Sequence, residues 1–396
     1  MASETTAILH GTAILPDREV PDALIVIEGE RLAFCGRLDQ GEVPSGARLA
    51  DASGLYVIPG LIDTHVHGTH GDDVMLHGAA GIRRISERFP QYATTAWLPS
   101  TISARHTELV EAVRWCMEET HRASGGSPEG ADIAGLHIEG PYINLKRKGA
   151  QPAEGVRDPD FDEVRELLAA AEGRMRVMTL APELPGGLEL IRMLVAEGVI
   201  ASMGHSDANY DQALEGIAAG ATHATHLFNA MPPIHHRDPG LITACLNEPE
   251  VLAEVIPDGV HLHPHIVRLA LRTKGPDHAA LITDAFSATG LPEGTHTLGP
   301  HTVSVKGALC TLADGTIAGS ILTMNHAVRN AVRFTGVSLV DAVRMASLTP
   351  ARVAGCAARK GSLETGKDAD VALLDSRFDC TATWVRGRQV HGATPS

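Results

Sequence analysis

Eight apolar segments that alternate with amphipathic helical patterns predict a (β/α)8 TIM-like barrel. The segments lie near residues 57–67, 93–98, 133–139, 176–181, 199–204, 221–227, 251–260 and 279–284. Alternation of strand and helix is typical of a parallel sheet covered by helices, and eight repeats close into a barrel. β-rich segments at both chain ends predict in addition a small β-sandwich domain built from both termini.

The two ends of the chain share a pattern of short strands and turns. The first end contains "TAILHGTAIL" and "DALIVIEGERLAFCG", and the last contains "GSLETGKDADVALLD" and "CTATWVRGRQVHG". Gly and Asp punctuate these runs, as is typical of small β-structures. We expect residues 1–57 and 349–396 to form the β-sandwich domain and residues 58–348 to form the barrel. Separate terminal extensions are the alternative.

Two helical patterns carry boundary signals. In "DPDFDEVRELLAAAEG", acidic residues occupy the first turn and Gly173 follows the last apolar position, which predicts where the helix starts and ends. The pattern "DANYDQALEGIAAG" opens on Asp207, which we expect to cap the helix N-terminus.

The composition is that of a globular chain in aqueous solution. Of 396 residues, 44% are hydrophobic and 20% charged, and the net charge of −15 argues against a nucleic-acid partner. No apolar run approaches the roughly 18 residues of a membrane span, and the N-terminus lacks the features of a signal peptide. The six scattered cysteines have no CxxC spacing. We therefore expect reduced thiols, a cytoplasmic protein and no membrane partner.

The segment "PGLIDTHVHG" places two histidines one residue apart at the end of the first barrel segment. Alternate side chains of a strand leave the same face, so Asp63, His65 and His67 would project together. Two imidazoles on one face can bind a metal ion. An ordinary half-buried strand with two hydrogen-bonded histidines is the alternative.

Polar side chains also follow most of the other apolar segments. These residues are Glu139, His205, His226, Asp258, His261 and Asp284. In a barrel, all C-terminal strand ends open on the face where active sites are built. Each residue alone could belong to the core or to a loop, and Asp258 could cap a turn before His261. Their joint occurrence at strand ends favours one shared site.

Short motifs spread along nearly the whole chain carry a family resemblance. They are "PGLIDTHVHG", "HIEGPYIN", "MGHSDA", "THLFNAM", "HHRDPG", "ITDA", "AGSILTMNHAVRN" and "GKDADVALLD". Together they resemble the amidohydrolase superfamily and, more narrowly, the N-acetylglucosamine-6-phosphate deacetylases. The resemblance implies metal-dependent hydrolysis of the N-acetyl amide of N-acetylglucosamine-6-phosphate, giving glucosamine-6-phosphate and acetate.

The resemblance also implies a metal centre. The implied ligands are Glu139, His205, His226, His65, His67 and Asp284. His65 and His67 supply the pair with which some family members hold a second ion. Imidazole and carboxylate donors suit divalent Zn, Fe, Co or Mn, with one or two ions per subunit, and the sequence does not choose among them.

A phosphorylated amino sugar is the implied substrate. Asn229 and Ala230 resemble part of a phosphate-binding turn, and Arg237 resembles an arginine that reaches the phosphate, in some members across a dimer interface. We therefore expect a homodimer. His261 would contact the acetamide and polarise its carbonyl. Gln151 stands where the family often has a histidine that contacts the sugar, so the sugar epimer and the need for the 6-phosphate stay open.

The expected chemistry must overcome the low reactivity of an amide towards water. Hydroxide attacks the acetyl carbon after Asp284 takes a proton from water, and Asp284 then returns the proton to the departing amine. His261 and a metal ion stabilise the developing oxyanion. Asp284 and His261 are therefore the predicted catalytic residues.

Three alternatives accompany this interpretation. Dihydroorotases and hydantoinases use a carboxylated lysine on the fourth strand, whereas "RVMTLAPE" contains no lysine. A deacetylase of N-acetylgalactosamine-6-phosphate or of an unphosphorylated N-acetyl amino sugar is harder to exclude. A non-catalytic sugar-phosphate sensor would be expected to lose chemical residues, and the full set in this chain argues against it.

Overall fold

The computed structural model describes residues 5–124, 126 and 128–393. The strands are β1 (Thr5–Leu9), β2 (Thr12–Ile14), β3 (Glu19–Val20), β4 (Ala23–Glu28), β5 (Arg31–Arg37), β6 (Arg48–Asp51), β7 (Tyr56–Pro59), β8 (Leu61–Val66), β9 (Gly68–Thr69), β10 (Asp72–Asp73), β11 (Thr94–Pro99), β12 (Asp132–Ile133), β13 (Leu136–Glu139), β14 (Met175–Leu180), β15 (Ile200–Met203), β16 (His223–Ala224), β17 (Leu252–Val255), β18 (Ala279–Leu281), β19 (Gly294–Leu298), β20 (His301–Lys306), β21 (Leu309–Thr311), β22 (Val371–Leu374), β23 (Cys380–Val385) and β24 (Arg388–His391). The helices are α1 (Gly78–Arg88), α2 (His106–Ser124), α3 (Phe161–Ala170), α4 (Gly187–Ala196), α5 (Tyr210–Ala218), α6 (Gly240–Asn247), α7 (Pro264–Lys274), α8 (Met324–Thr335), α9 (Leu339–Ala346) and α10 (Leu348–Val353).

Eight parallel strands close into a barrel. Strands β13 to β18 pair in sequence order, and β11 pairs with β8. Parallel bridges from Ser100 to His137 and from Val66 to Ala285 join these two sheets on both sides. Each of the eight predicted apolar segments overlaps one barrel strand. The predicted (β/α)8 barrel is confirmed.

Apolar side chains fill the space between the barrel strands and the surrounding helices. Ile82, Leu109, Ile138, Leu167 and Leu190 are fully buried members of the largest apolar cluster. Burial of apolar surface contributes about 25 cal/mol per Å², and this layer therefore fixes the strands that carry the polar side chains at their ends. Among the described helices, none combines the length and the apolar character needed to cross a membrane.

The N-terminus of α5 differs from the expectation. Asn209, not Asp207, is the N-cap, and it exchanges hydrogen bonds with Gln212 in a capping box. Asp207 instead accepts a hydrogen bond from Arg147 Nε at 2.8 Å. The predicted Asp207 cap is wrong because Asn209, two residues later, offers an equally good acceptor with a matching Gln three residues on.

Strands from both chain ends form two further sheets. Their orders are β5–β4–β1–β6 and β24–β23–β22–β7–β2–β3, and β22 pairs with β7 across the length of the chain. Ile8, Ile25, Val57, Val371 and Trp384 from the two sheets share one buried apolar cluster, as in a sandwich. The predicted division after residues 57 and 348 stays a prediction.

A three-stranded antiparallel sheet, β19 to β21, lies between β18 and α8. The sequence analysis did not predict it. Phe286, Val303 and Cys310 bury its inner face. The sheet and the turn after it bring Leu298 and Ile317 to the mouth of the barrel, so this insertion shapes the opening described next.

Candidate active site

The polar residues predicted at the strand ends meet at one mouth of the barrel. Within each of two groups of three, the ligand atoms lie within 4.8 Å of one another. The groups are Glu139–His205–His226 and His65–His67–Asp284. Side chains that are far apart in the sequence therefore form one compact cluster.

The first group surrounds a single carboxylate oxygen. His205 Nε2 and His226 Nε2 each lie 3.1 Å from Glu139 Oε1 and 3.0 Å from each other. All three side chains are buried. Two imidazole nitrogens and a carboxylate oxygen at these separations offer three donors to one ion.

The second group, His65–His67–Asp284, lies directly against Glu139 of the first group. His67 Nε2 lies 3.2 Å from Asp284 Oδ1, and His65 Nε2 lies 3.8 Å from the same oxygen. The distance from His65 Nε2 to Glu139 Oε1 is 3.3 Å, and that from His67 Nε2 to Glu139 Oε2 is 3.5 Å. Glu139 therefore lies between the two groups.

The outer ring nitrogen, Nδ1, faces away from the cluster, and its hydrogen bonds show which tautomer the histidines adopt. His67 Nδ1 lies 3.0 Å from the Ser100 carbonyl oxygen, and His205 Nδ1 lies 2.9 Å from the Arg147 carbonyl oxygen. A carbonyl only accepts, so Nδ1 carries the proton and a neutral ring turns the lone pair of Nε2 inward. His65 Nε2 is buried without a hydrogen-bond partner. Inward lone pairs that face carboxylates fit a bound cation.

Charge in the cluster is balanced between carboxylates and imidazoles. Burial alone would raise the pKa of Asp284, but the hydrogen bond with His67 and the charge of His65 outweigh burial and lower this pKa to about 2. Burial likewise opposes ionisation of Glu139, yet His65 and the other ring nitrogens hold its pKa well below the ordinary value. Both groups are therefore carboxylates at neutral pH.

Backbone conformation at the strand ends is unusual. His205, His226 and Asp284 have φ of 48°, 28° and 51°, in or near the left-handed region that non-glycine residues rarely adopt. Such residues cost about 1–3 kcal/mol each and cluster at functional sites. Gly140 has φ of 76°, and a Cβ there would lie 2.3 Å from Ser103 Oγ, so the "HIEGP" motif requires glycine at this position.

A cavity of about 270 Å³ opens above the cluster. Among the residues that line it are the predicted substrate-binding residues Gln151, Asn229, Ala230 and His261. The volume is close to the lower end of the roughly 300–1,000 Å³ range of small-molecule sites. Four of the five predicted substrate-binding residues therefore face the same space as the cluster.

His261 is held by a carboxylate that the sequence analysis had treated as a turn cap. Asp258 Oδ1 accepts the backbone N–H groups of Val260 and His261, both at 2.8 Å, which confirms the cap. Asp258 Oδ2 also lies 2.7 Å from His261 Nδ1. Burial lowers the pKa of His261, but this hydrogen bond and the charge of Asp258 outweigh it, so the pKa is raised.

Comparison with known proteins decides the family. The sequence profile of the amidohydrolase family matches residues 56–390. The chain belongs to the amidohydrolase family. An N-acetylglucosamine-6-phosphate deacetylase of Bacillus subtilis (strain 168) is 40% identical to it over 84% of this chain and 83% of the relative. An N-acetylgalactosamine-6-phosphate deacetylase of Escherichia coli O157:H7 is 37% identical over 87% of this chain and 90% of the relative.

A solved structure shares the fold of this amidohydrolase. The N-acetyl-D-glucosamine-6-phosphate deacetylase of Mycobacterium smegmatis, in complex with N-acetyl-D-glucosamine-6-phosphate, superposes with a TM-score of 0.90 at 34% identity. The match covers 98% of this chain and 100% of the other. The resemblance predicted from the motifs is confirmed.

Arg237 is placed apart from the other predicted residues of this amidohydrolase. It lies on an exposed loop, where its guanidinium contacts His236, and it does not line the cavity. Ile234 in the same loop is 47% exposed. The role of Arg237 stays a prediction.

The sequence analysis missed one buried acid of the amidohydrolase site. Glu254 is fully buried in β17, and its Oε2 lies 2.9 Å from His65 Nδ1. The segment "VLAEVI" gave a signal, because a single acid within an apolar strand needs a partner. The partner itself was hidden, since it lies 189 positions away.

Proposed function

We propose that this amidohydrolase hydrolyses the N-acetyl amide of N-acetylglucosamine-6-phosphate to glucosamine-6-phosphate and acetate. The observation that carries the proposal is the convergence of His205 and His226 on one oxygen of Glu139, with Asp284 beside them at the base of a cavity. The relatives described above, deacetylases of 6-phosphorylated N-acetyl amino sugars by name, support this choice of reaction.

The donor set supports a divalent transition metal, either Zn, Fe, Co or Mn, in one or two ions per subunit. The proposed ligands are Glu139, His205, His226, His65, His67 and Asp284. When bound, such an ion supplies Lewis-acid chemistry, which makes water more acidic and polarises an amide carbonyl. Nothing in the donor set selects one of these metals.

Asp284 and His261 carry the proton steps in this proposal. The Asp284 carboxylate takes a proton from the attacking water and returns it to the amine nitrogen, so that the amine leaves as a neutral group. His261 donates a hydrogen bond to the acetyl oxygen as negative charge develops there. Asp258 already binds His261 Nδ1, which leaves Nε2 available to the substrate.

The sugar phosphate would lie against the turn after β16. Phe228 and Ala230 have φ of 81° and 53°, and a left-handed turn of this kind gathers backbone N–H groups into a concavity that binds anions. Asn229 Nδ2 donates to the His226 carbonyl oxygen at 3.0 Å, which ties this turn to a proposed metal ligand. Phosphate binding and the metal centre are therefore adjacent.

We also propose a homodimer in which Arg237 of one subunit reaches the phosphate in the other. Arg237 lies exposed on a loop outside the cavity of its own chain, where a neighbouring subunit can approach it. All six cysteines are free thiols, which supports a reducing, cytoplasmic location.

The decisive experiment measures acetate release and metal content on the same sample. N-acetylglucosamine-6-phosphate, N-acetylgalactosamine-6-phosphate and unphosphorylated N-acetylglucosamine are the three substrates. We expect the highest kcat/KM with the first and bound transition metal in the active sample. A higher kcat/KM with the galactosamine epimer would favour the second candidate, to which the Escherichia coli relative points. Absence of activity with added metal would overturn the proposal.

A further inference from the structure

A buried layer of polar side chains lies inside the barrel. Thr225 Oγ1 hydrogen-bonds to Thr179 Oγ1 at 2.7 Å and to Ser202 Oγ at 2.5 Å. Ser202 Oγ lies 2.8 Å from His223 Nδ1, and His223 Nε2 lies 3.9 Å from Glu254 Oε1. This layer is fully closed to solvent, so a carboxylate within it needs a specific partner.

Glu254 contacts two elements of the site from this layer. Its Oε2 lies 2.9 Å from His65 Nδ1 and accepts the backbone N–H of His226 at 3.2 Å. Both Glu254 and His65 have no exposed surface. An ionised carboxylate is acceptor-only, so the bond to His65 requires a proton on Nδ1.

His65 differs in this respect from His67 and His205. The outer nitrogens of His67 and His205 are fixed by the backbone carbonyls of Ser100 and Arg147, which no substitution of a side chain removes. The outer nitrogen of His65 is fixed by a side chain alone. Removal of that side chain would therefore change His65 and leave the outer hydrogen bonds of the other two rings in place.

Two tautomers of His65 compete in this geometry. With the proton on Nδ1, the ring satisfies Glu254 and turns the Nε2 lone pair toward Asp284 and Glu139. With the proton on Nε2, the ring donates to Glu139 Oε1, which lies 3.3 Å away, and offers no lone pair to an ion. Only the first tautomer can ligate a metal.

We propose that Glu254 is a positioning residue that makes the His65–His67–Asp284 group competent to hold a metal ion, because it holds the His65 proton on Nδ1. The inference rests on the proposed metal-dependent function. Glu254 touches neither substrate nor ion. We expect its main effect on the second group, because Glu254 contacts the ring of His65 there, whereas in the Glu139–His205–His226 group it contacts only the backbone N–H of His226.

The test compares Glu254→Leu, Glu254→Gln and Ser202→Ala with the wild type. Leu removes the acceptor, whereas Gln keeps an amide oxygen that can accept from His65. Ser202→Ala is the matched control, because Ser202 lies in the same buried layer and contacts His223 and Thr225 but not His65. Bound metal per chain is measured by mass spectrometry after dialysis at defined free zinc concentrations, together with thermal unfolding of the metal-free proteins.

We expect the wild type and Ser202→Ala to bind two zinc ions per chain. Glu254→Leu should keep one ion and bind the second about 10- to 100-fold more weakly, as is typical when a residue that holds a metal ligand is removed. Glu254→Gln should fall between the two. The ¹⁵N shifts of labelled histidines in the metal-free protein, recorded at a pH high enough for the rings to be neutral, should show one ring in the Nε2–H tautomer in Glu254→Leu only.

Equal zinc affinity of the second group in wild type and Glu254→Leu, with unchanged tautomers, would overturn the inference. If Glu254→Leu does not fold, Glu254→Gln decides it: a neutral amide accepts more weakly than a carboxylate, so an affinity equal to that of the wild type would mean that Glu254 does not set the position of the His65 proton. The same loss of zinc in Ser202→Ala would also overturn it, because general loosening of the barrel would then explain the effect. A wild type that binds neither zinc nor iron, cobalt or manganese would contradict the proposed function itself.

Discussion

Gln151 donates an amide hydrogen bond to Glu139 Oε2, and its own oxygen accepts the backbone N–H of Ser103 at 2.6 Å. The side chain predicted to contact the sugar therefore also restrains a proposed metal ligand. The departure from the family histidine has a structural consequence: an uncharged amide fixes one carboxylate oxygen of Glu139 and leaves Oε1 to face His205 and His226.

Replacement of Gln151 by Ala should weaken metal binding. Without the amide, Glu139 Oε2 loses its donor and the carboxylate can rotate, and loss of such a bond typically lowers metal affinity about 10- to 100-fold. Competition with a chelator measures the affinity. Asn144→Ala is the control. Asn144 lies in the same segment as Gln151, and its substitution removes a hydrogen bond to Glu183, so the metal affinity should not change. An unaltered affinity in Gln151→Ala would mean that packing alone orients Glu139.

Replacement of Asp284 by Asn should reduce turnover much more than binding. The amide cannot take a proton from water, and a positioned general base contributes about 10²- to 10⁴-fold. We expect kcat for acetate release to fall by at least that factor while KM changes little. Metal content is measured on the same sample, since His67 also contacts Asp284. Near-normal kcat would exclude the proton-transfer role.

Replacement of Asp258 by Asn should move the alkaline limb of the kcat profile to lower pH. Asp258 raises the pKa of His261, so the protonated ring, which donates to the acetyl oxygen, persists to higher pH in the wild type. Activity that needs this form is lost as the pH rises through that pKa, and the neutral amide lowers it. Asp277→Asn, which weakens a partly exposed salt bridge with Arg352, is the control and should leave the limb in place. If the alkaline limb does not move in Asp258→Asn, it reports the titration of a group other than His261.

Removal of metal should lower thermal stability as well as activity. An ion that binds only the folded state stabilises it by about 2.7 kcal/mol at a free concentration 100 times its Kd. Calorimetry of chelated and zinc-loaded protein should show a higher Tm with zinc. The gain should shrink in His205→Gln and persist in His121→Gln, whose ring contacts Glu172 at the surface. An equal gain in both variants would place the stabilising ion elsewhere.

The sequence could predict the barrel and the convergence of its ligands because both follow from local signals. An apolar segment defines each strand, and the polar residue at or beyond its end marks the mouth, as with Glu139 at the end of β13 and Asp284 beyond β18. Pairing of distant residues has no such signal. The contact between Glu254 and His65, and the reach of Asp258 to His261, depend on side-chain rotamers that only the assembled barrel fixes.

The insertion β19 to β21 escaped prediction for a different reason. Its strands "GTHTL" and "HTVSVK" are short and largely exposed, so they lack the apolar runs that marked the barrel strands. Their few buried residues, such as Leu298 and Val303, pack under the sheet on Phe286. Strands of five and six residues with one and two apolar positions give an alternation too short to be recognised.

Replacement of Arg237 by Ala should raise KM for the 6-phosphorylated substrate about 10- to 100-fold, since a charge-assisted hydrogen bond contributes about 1.5–3 kcal/mol. KM for unphosphorylated N-acetylglucosamine should not change. Arg192→Ala, which removes another exposed arginine, is the control.

Because Arg237 does not line the cavity of its own chain, a mixture of Arg237→Ala and Asp284→Asn subunits tests whether Arg237 acts at its own site or at that of the partner. If Arg237 serves the partner, a hybrid dimer contains one intact site, and at substrate concentrations below the raised KM the mixture is more active than the sum of the two variants. A mixture without such recovery, in subunits shown to exchange, would place Arg237 at its own site or at none.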